Sequence, residues 1–472
     1  MDEKKHGAKV ESVDRRDFLK QASAIAAGST LTASTTKADT LKSIQPSEVL
    51  GANEKIRTGH IGVGGMGRAH LTFLLKRTTQ FDKKDIEPIA LCDLYKKSLE
   101  QAVGLAGQVF KNFTTHKDFR EVIENKDVDA VVIATPDHWH CLPTLYAADA
   151  GKDIYCEKPL STSIGEGLAM VDAVRRNNVI FQAGTMQRSG EHFQEAVELV
   201  RSGRIGDVHR IETFSHEDKD LAGMKMGKTD LGKYPGLDWD FYQGWVEHKP
   251  FNSNRWLYNF RWFLDYSGGK ITDWGAHLID IALWAMAEDK HPKSVVSVGN
   301  KFCMQDNRTT PDTLEAIWEY DDYILSFSNR VYNRYLHKDY SDHGIIFHGT
   351  QGTMRVDRGG YEIYSIPNNN GCEPKKVVRE GGDDSFNFNH WDNFVECVRE
   401  RKDPICTVEK INNTTRTCHM GTCSYVAGGA KLGWDAENQK FTGGDSDAVK
   451  KANAWAYREY QNGWSLKAPY KA

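Results

Sequence analysis

The sequence lacks an excess of basic residues, the apolar content of a membrane channel and any closely spaced cysteine pair. Its 61 Lys and Arg residues face 65 Asp and Glu residues, which gives a net charge of −4. Nucleic-acid binding needs a basic surface, so we exclude DNA and RNA as partners. With 39% hydrophobic and 27% charged residues, the 472-residue chain has the composition of a soluble globular protein with room for two domains.

The nine cysteines are odd in number and show no C-x-x-C spacing. This pattern predicts neither a disulfide framework nor a structural zinc site, and we expect no metal site. Buried thiols behave as small hydrophobic side chains, so we expect most of the cysteines to be free and buried.

The N-terminal segment has the order of a twin-arginine export signal. Paired arginines at 15–16 precede a short alanine-rich stretch and then a small-residue cleavage site. We predict a removable signal at 1–38, a linker at 39–54, and export by the twin-arginine machinery to the periplasm or beyond. The alternative is a disordered arm in a cytoplasmic protein, because Asp14 stands where Ser or Thr is commoner.

A glycine-rich turn follows the first predicted strand. In G-x-G-x-x-G the first glycine permits a tight turn, the second admits a pyrophosphate, and the third lets the following helix pack closely on the strand. The phosphates would lie over the helix N-terminus. We therefore assign cofactor binding to Gly62, Gly64, Gly65, Met66 and Gly67.

Asp93 ends the second predicted strand, where an acid can bond the ribose hydroxyls of a dinucleotide. Its charge would repel a 2′-phosphate, so we favour NAD. Lys96 and Lys97 nearby leave NADP possible. The alternative role for Asp93 is to cap the following helix.

Strand and helix patterns alternate from about 55 to 187, and several strands are continuous apolar runs such as 130–134. A parallel sheet covered by helices on both faces requires strands of this kind. We therefore predict the α/β class, with an N-terminal Rossmann domain built on a doubly wound parallel sheet at 55–187. Its ligands should lie beyond the carboxyl ends of the strands.

Four further motifs mark predicted strand ends and one later segment. They are Thr135-Pro136-Asp137-x-x-His140, Cys156-Glu157-Lys158-Pro159, Gly184-Thr185-Met186-Gln187 and Gly268-Gly269-x-x-x-Asp273-x-Gly275-x-His277. In this combination the sequence resembles the glucose-fructose oxidoreductase, inositol dehydrogenase and MocA family over about residues 55–430.

The resemblance implies an oxidoreductase that moves a hydride between tightly bound NAD(P) and a secondary hydroxyl of a sugar, glycoside or polyol. It implies that Lys158 bonds the reacting oxygen and that His277 exchanges its proton. Asp273 would orient the imidazole or relay its proton. On a helix, the spacing of Asp273 and His277 would place both on one face. Further cofactor contacts are expected from Thr135, Pro136, His140, Glu157, Lys158 and Gln187.

Two other functions stay open. Some relatives cleave glycosides in a redox-neutral cycle of transient oxidation and elimination, although the N-acetylgalactosaminidase branch lacks the E-K-P motif that contains Lys158. A non-catalytic, cofactor-dependent sugar-binding protein is the third possibility, because a fold does not fix a function.

Alternating segments after the Rossmann part predict an α+β domain at 188–434 with a large, open, mainly antiparallel sheet. An open sheet face usually needs covering, so we expect a homodimer or homotetramer.

Fourteen aromatic residues fall between Tyr234 and Trp284. We assign most of them to the core and expect Trp262 or Tyr266 to face substrate. Residues 435–472 form an extension in which we predict a helix around 448–460.

Overall fold

The structure, a computed structural model, describes residues 55–286, 288–334, 341–366, 371–379 and 384–466. The predicted signal at 1–38 and linker at 39–54 lie outside the described residues. Over the described ranges, no helix combines the length and the apolar character that crossing a bilayer requires.

The N-terminal sheet has six parallel strands in the order β3-β2-β1-β4-β5-β6. The strands are β1 Ile56–Ile61, β2 Ile86–Cys92, β3 Thr114–His116, β4 Ala130–Ile133, β5 Asp153–Cys156 and β6 Phe181–Ala183. All residues of β4 and β5 are buried, as strands covered on both faces must be. This order is that of a dinucleotide-binding doubly wound sheet, so the predicted α/β class is confirmed.

Five helices connect these strands. They are α1 Gly65–Gln80, α2 Lys96–Ala106, α3 Phe119–Glu124, α4 Cys141–Asp149 and α5 Ile164–Arg176. Side-chain caps fix some of their starts: Asp118 accepts a hydrogen bond from the Arg120 amide, and Ser163 accepts one from the Glu166 amide. At the start of α1 no side chain caps the helix, because glycine occupies the cap position.

The second sheet has ten strands in the order β14-β13-β12-β11-β7-β10-β9-β8-β15-β16. The strands are β7 Val208–His216, β8 Ser294–Asn300, β9 Thr313–Glu319, β10 Ile324–Arg330, β11 His343–Gly349, β12 Gly352–Asp357, β13 Gly360–Ser365, β14 Lys375–Val378, β15 Leu432–Asp435 and β16 Lys440–Thr442. Strands β7 and β10 pair in parallel, while the pairs on either side of them are antiparallel. The predicted mainly antiparallel sheet is therefore confirmed.

One face of this sheet packs against helices and forms a core. In β9 the side chains of Leu314, Ala316 and Trp318 are buried, whereas those of Glu315 and Ile317 are exposed on the opposite face. The remaining helices are α6 Glu191–Arg201, α7 Trp239–Gln243, α8 Lys270–Asp273, α9 Gly275–Met286, α10 Asp384–Glu400, α11 Val408–Val426 and α12 Ser446–Ala456.

The C-terminal residues are part of this second half. Strands β15 and β16 extend the sheet, and α12 packs on α11. The helix expected around 448–460 is present but ends at Ala456, where Tyr457 leaves the helical conformation.

All nine cysteines lie in the described ranges, and there they are free; all except Cys303 are buried. Burial raises the pKa of the Cys397 thiol to about 11 and that of Cys406 to about 12. These thiols therefore stay protonated and act as apolar side chains, as expected.

A buried ion pair joins the end of the first sheet to helix α9. Arg188, just after β6, donates from Nε and Nη2 to both carboxylate oxygens of Asp280, each at 2.7 Å. Both side chains are 1% exposed. Thr414 on α11 donates a further bond to Asp280 at 3.0 Å. Such a pair fixes the position of α9 more than it adds stability, since both charges were desolvated to form it.

Removing one partner should be costly. We expect Asp280→Ala to lower the free energy of unfolding by about 3–5 kcal/mol, because it takes the main partner from a buried guanidinium. Asp322→Ala breaks the exposed ion pair with Lys290. This change should alter the free energy of unfolding by less than about 1 kcal/mol. Urea unfolding followed by circular dichroism measures both free energies. Equal losses of stability in the two variants would contradict the role given to the buried Arg188–Asp280 pair.

Candidate active site

A cavity of about 660 Å³ opens over the carboxyl ends of β1, β2, β4 and β5. The residues expected at the site that line it are Gly62, Gly64, Gly65, Met66, Asp93, Thr135, Pro136, His140, Glu157, Lys158 and His277. The opposite wall comes from the second half of the chain, chiefly from residues 256–261. The cavity therefore unites residues that are distant in sequence, from Ile61 to His277.

The glycine-rich turn has the shape that a pyrophosphate needs. Gly62 has φ of +84°, and a Cβ at Gly67 would collide with the carbonyl oxygen of Gly62. A Cβ at Gly64 or Gly65 would meet nothing within 4 Å. Helix α1 begins at Gly65, and Gly64, Gly65 and Met66 line the cavity. Because the first amide groups of a helix have no partner within the helix, this end of α1 suits a bound anion.

Asp93 lies beside this turn. Its carboxylate accepts a hydrogen bond of 2.8 Å from the Tyr95 amide. Burial raises the pKa of Asp93 to about 6, although bonds from backbone amides oppose the rise. Asp93 lines the cavity. It does not cap α2, because Tyr95 occupies the cap position and no side chain caps this helix. Lys96 and Lys97 are exposed and do not line the cavity.

His140 and Glu157 support the loop that carries Lys158. The His140 ring contacts the carbonyl oxygens of Pro159 through Nδ1, at 2.7 Å, and of Thr135 through Nε2, at 3.0 Å. Glu157 bonds His70 at 2.8 Å. Burial favours the neutral acid, but His70 and Lys158 leave the pKa of Glu157 below its ordinary value.

Lys158 and Asp273 form a buried ion pair. The Lys158 ammonium donates to Oδ1 of Asp273 at 2.9 Å and to the Asp273 carbonyl oxygen at 3.0 Å. Asp273 does not itself line the cavity; it ends α8 and lies behind Lys158. Burial opposes ionisation, but Lys158 and Arg261 hold the pKa of Asp273 far below its ordinary value. The carboxylate therefore orients the ammonium.

His277 occupies the next turn, at the start of α9. Its ring is buried, and Nδ1 has no hydrogen-bond partner among the described residues. Burial, followed by the positive charges of Lys158 and Arg358, lowers the pKa of His277 well below its ordinary value. The imidazole is therefore neutral at pH 7, with a ring nitrogen available as an acceptor, although the lowered pKa makes it a weaker base than an ordinary imidazole.

Arg261 was not foreseen from the sequence. Its Nε donates to Asp273 at 3.3 Å, and its guanidinium lies 4.7 Å from the ring centres of Tyr258 and Phe260. It lines the cavity between aromatic residues. Only its place in the aromatic-rich segment hinted at a role, and many residues share that property.

Some expected residues lie elsewhere. Gln187 is buried and does not line the cavity, although neighbouring Met186 does. Trp262 and Tyr266 are buried in the core, and it is Tyr258, 59% exposed, that faces the cavity. Over the part of the chain that the structure describes, no group of three or more His, Cys, Asp or Glu side chains could hold a metal ion.

Two family models match the chain. Residues 56–185 match "Oxidoreductase family, NAD-binding Rossmann fold", and residues 228–355 match "GFO/IDH/MocA C-terminal domain". Together the two ranges cover more than half of the chain and contain both walls of the cavity.

Curated relatives match shorter segments. Inositol 2-dehydrogenase 3 of Saccharopolyspora erythraea is 34% identical over 34% of this chain and 46% of its own length. Levoglucosan dehydrogenase of Pseudarthrobacter phenanthrenivorans is 31% identical over 33% of this chain and 39% of its own length. A glycosyl hydrolase family 109 protein of Shewanella sp. is 27% identical over 44% of this chain and 47% of its own length. The chain thus aligns with less than half the length of each of these relatives.

Solved structures share the fold over most of the chain. A levoglucosan dehydrogenase complex with NADH and levoglucosan has a TM-score of 0.63 at 18% identity, over 80% of this chain and 99% of that one. The WlbA dehydrogenase of Bordetella pertussis, in complex with NADH and UDP-GlcNAcA, has a TM-score of 0.58 at 17% identity. The match covers 81% of this chain and 99% of that one.

The neutral state of His277 can be measured directly. We expect its ring resonances, identified by their loss in His277→Asn, to show no titration between pH 8 and 6.5, because burial and Lys158 lower its pKa. In Lys158→Met the midpoint should move upward, since a nearby positive charge is removed. NMR of histidine-labelled protein tests this, and a wild-type midpoint at or above 6.5 would contradict it.

Proposed function

The chain belongs to the Gfo/Idh/MocA oxidoreductase family, and on that premise we propose that it is an NAD(P)-dependent dehydrogenase of a secondary hydroxyl in a sugar, glycoside or polyol. The observation that carries the proposal is the meeting of the glycine turn, Lys158 and His277 in one cavity. A dinucleotide site and a proton-transfer site are thereby adjacent, as hydride transfer from a carbinol requires.

The cofactor would be held by the turn at 62–67 and by Asp93. The open space above Gly64 and Gly65 fits a pyrophosphate, and the carboxylate of Asp93 suits a ribose diol. NAD supplies the hydride acceptor when it is bound. The negative charge of Asp93 favours NAD over NADP.

The chain's own residues handle the hydroxyl proton. Lys158, fixed by Asp273, donates a hydrogen bond to the reacting oxygen and stabilises its developing negative charge. Neutral His277 accepts the proton, for which a positioned base typically contributes about 100- to 10,000-fold in rate. Because Asp273 is held by Lys158 and Arg261, it acts by orienting them.

Arg261 and Tyr258 suit a polyhydroxylated substrate. The guanidinium can donate hydrogen bonds to hydroxyl oxygens, and an exposed aromatic ring can pack against the apolar face of a sugar ring. Both lie on the wall opposite the glycine turn, where a substrate would meet the cofactor.

We further propose that the protein leaves the cytoplasm folded around its cofactor, by the twin-arginine route, and works as a homodimer or homotetramer. The support is the order of residues at 1–38 and the open face of the second sheet. A periplasmic enzyme has no free nicotinamide pool, so it must regenerate its cofactor in place.

Cofactor retention and catalysis can be tested together. Protein purified without added nucleotide should show nicotinamide absorbance. On a panel of monosaccharides, inositols and glucosides, His277→Ala should lower turnover at least about 100-fold by removing the base, while NADH binding, followed by fluorescence, is retained. Cofactor-free wild-type protein, or unchanged turnover in the variant, would overturn the proposal.

A second candidate function is redox-neutral glycoside cleavage, which the family 109 relative favours because it matches a larger share of this chain than either dehydrogenase does. Lys158 favours plain dehydrogenation instead. Aryl glycosides separate the two: we expect NADH to accumulate without release of the aglycone. Release of the aglycone without net NADH would establish the cleavage cycle.

A further inference from the structure

Residues 457–466, which we call the C-terminal strap, lie beyond both ranges that match the family models. The strap leaves α12 at Tyr457 and returns to the aromatic-rich segment beside the cavity. It thus adds to the site a piece of chain that the matched family ranges do not include.

The strap is tied down by hydrogen bonds to one stretch of backbone. The Gln461 amide donates to the Trp245 carbonyl at 2.9 Å. The Asn462 side chain donates to the carbonyls of Gly244, at 2.7 Å, and Val246, at 2.8 Å. Three bonds to consecutive residues hold Gln461 and Asn462 against this stretch of backbone.

Tyr460 adds a second anchor. Its ring stacks on the Trp245 ring at 4.3 Å between centres and 5° between planes. Its hydroxyl donates to the buried Glu166 at 2.6 Å. The strap is therefore bound both to the aromatic segment and to helix α5 of the Rossmann half.

Trp464, held in place by these anchors, packs behind three aromatic residues. Its ring meets Trp139 edge-on at 5.1 Å, and stacks with Phe241 at 6.0 Å and with Phe119 at 6.5 Å. The Arg120 guanidinium lies 5.6 Å from the Trp464 ring centre. Trp139, Phe241 and Phe119 line the cavity, whereas Trp464 does not.

Trp139, Phe241 and Phe119, which we call the aromatic wall, stand at the end of the cavity that contains Asp93. The Asp93 amide bonds the carbonyl of His116, the last residue of β3, at 3.2 Å, and Phe119 follows β3 closely in the chain. The acid after β2 is the ribose-contact position of such folds. A dinucleotide bound through Asp93 would therefore turn its adenosine part toward the aromatic wall.

We propose that the C-terminal strap holds this aromatic wall in place and so slows the release of the cofactor. Trp464 is a positioning residue: it acts through Trp139, Phe241 and Phe119 and does not touch the cofactor itself. The inference rests on the proposed function, because it requires that the cavity binds a nicotinamide dinucleotide.

The test is the dissociation rate of NADH from full-length protein, measured by stopped-flow fluorescence with excess NAD as the displacing ligand. We expect Trp464→Ala to release NADH about 3- to 10-fold faster, because aromatic contacts of this kind are lost. Asn462→Ala, which loosens the anchor and leaves all rings in place, should also accelerate release. Trp464→Phe should fall between Trp464→Ala and the wild type.

Trp434→Ala is the matched control. It removes the same side chain from β15, where the Trp434 ring packs against Phe441 at 5.0 Å and does not line the cavity, and its release rate should stay within about twofold of wild type. If wild-type protein binds no NADH, the proposed function fails. If wild type binds NADH but Trp464→Ala and Asn462→Ala release it at the wild-type rate, the role of the strap is refuted while the proposed function stands.

Discussion

The site depends on the buried ion pair between Lys158 and Asp273. Lys158 follows strand β5 of the Rossmann half, and Asp273 ends helix α8 of the second half, so their 2.9 Å contact joins the two halves at the point where chemistry would occur. The ammonium also helps to keep His277 neutral. One interaction therefore fixes the position of Lys158 and adds to the effect of burial, which is the main reason that His277 is neutral.

Other contacts support this pair from outside the cavity. Arg188 and Asp280 fix helix α9, which carries His277, to the end of the first sheet. We propose that the C-terminal strap supports the aromatic wall in the same way. A cavity built from distant segments needs such fixed points, because a functional group misplaced by about 1 Å can cost much of its effect.

Much of this was predictable from sequence. The glycine spacing and the alternation of strands and helices follow from local patterns, and Lys158 and His277 follow from the resemblance of their motifs to the family. Arg261, the burial of Trp262 and the contacts of Trp464 did not, because they depend on which distant segments meet. The parallel pairing of β7 with β10 is likewise a tertiary feature, since strand patterns do not specify their partners. The bond of Asp273 to Lys158 instead of to His277 reflects the break between α8 and α9 at Trp274.

Lys158 and Asp273 should be energetically coupled across the two halves. A double-mutant cycle measures this most directly, with Lys158→Met, Asp273→Asn and the double variant compared by urea unfolding. We expect a coupling free energy of about 1–3 kcal/mol, as is found for residues that are in contact within one network. Additivity within about 0.3 kcal/mol, the behaviour of independent sites, would contradict it.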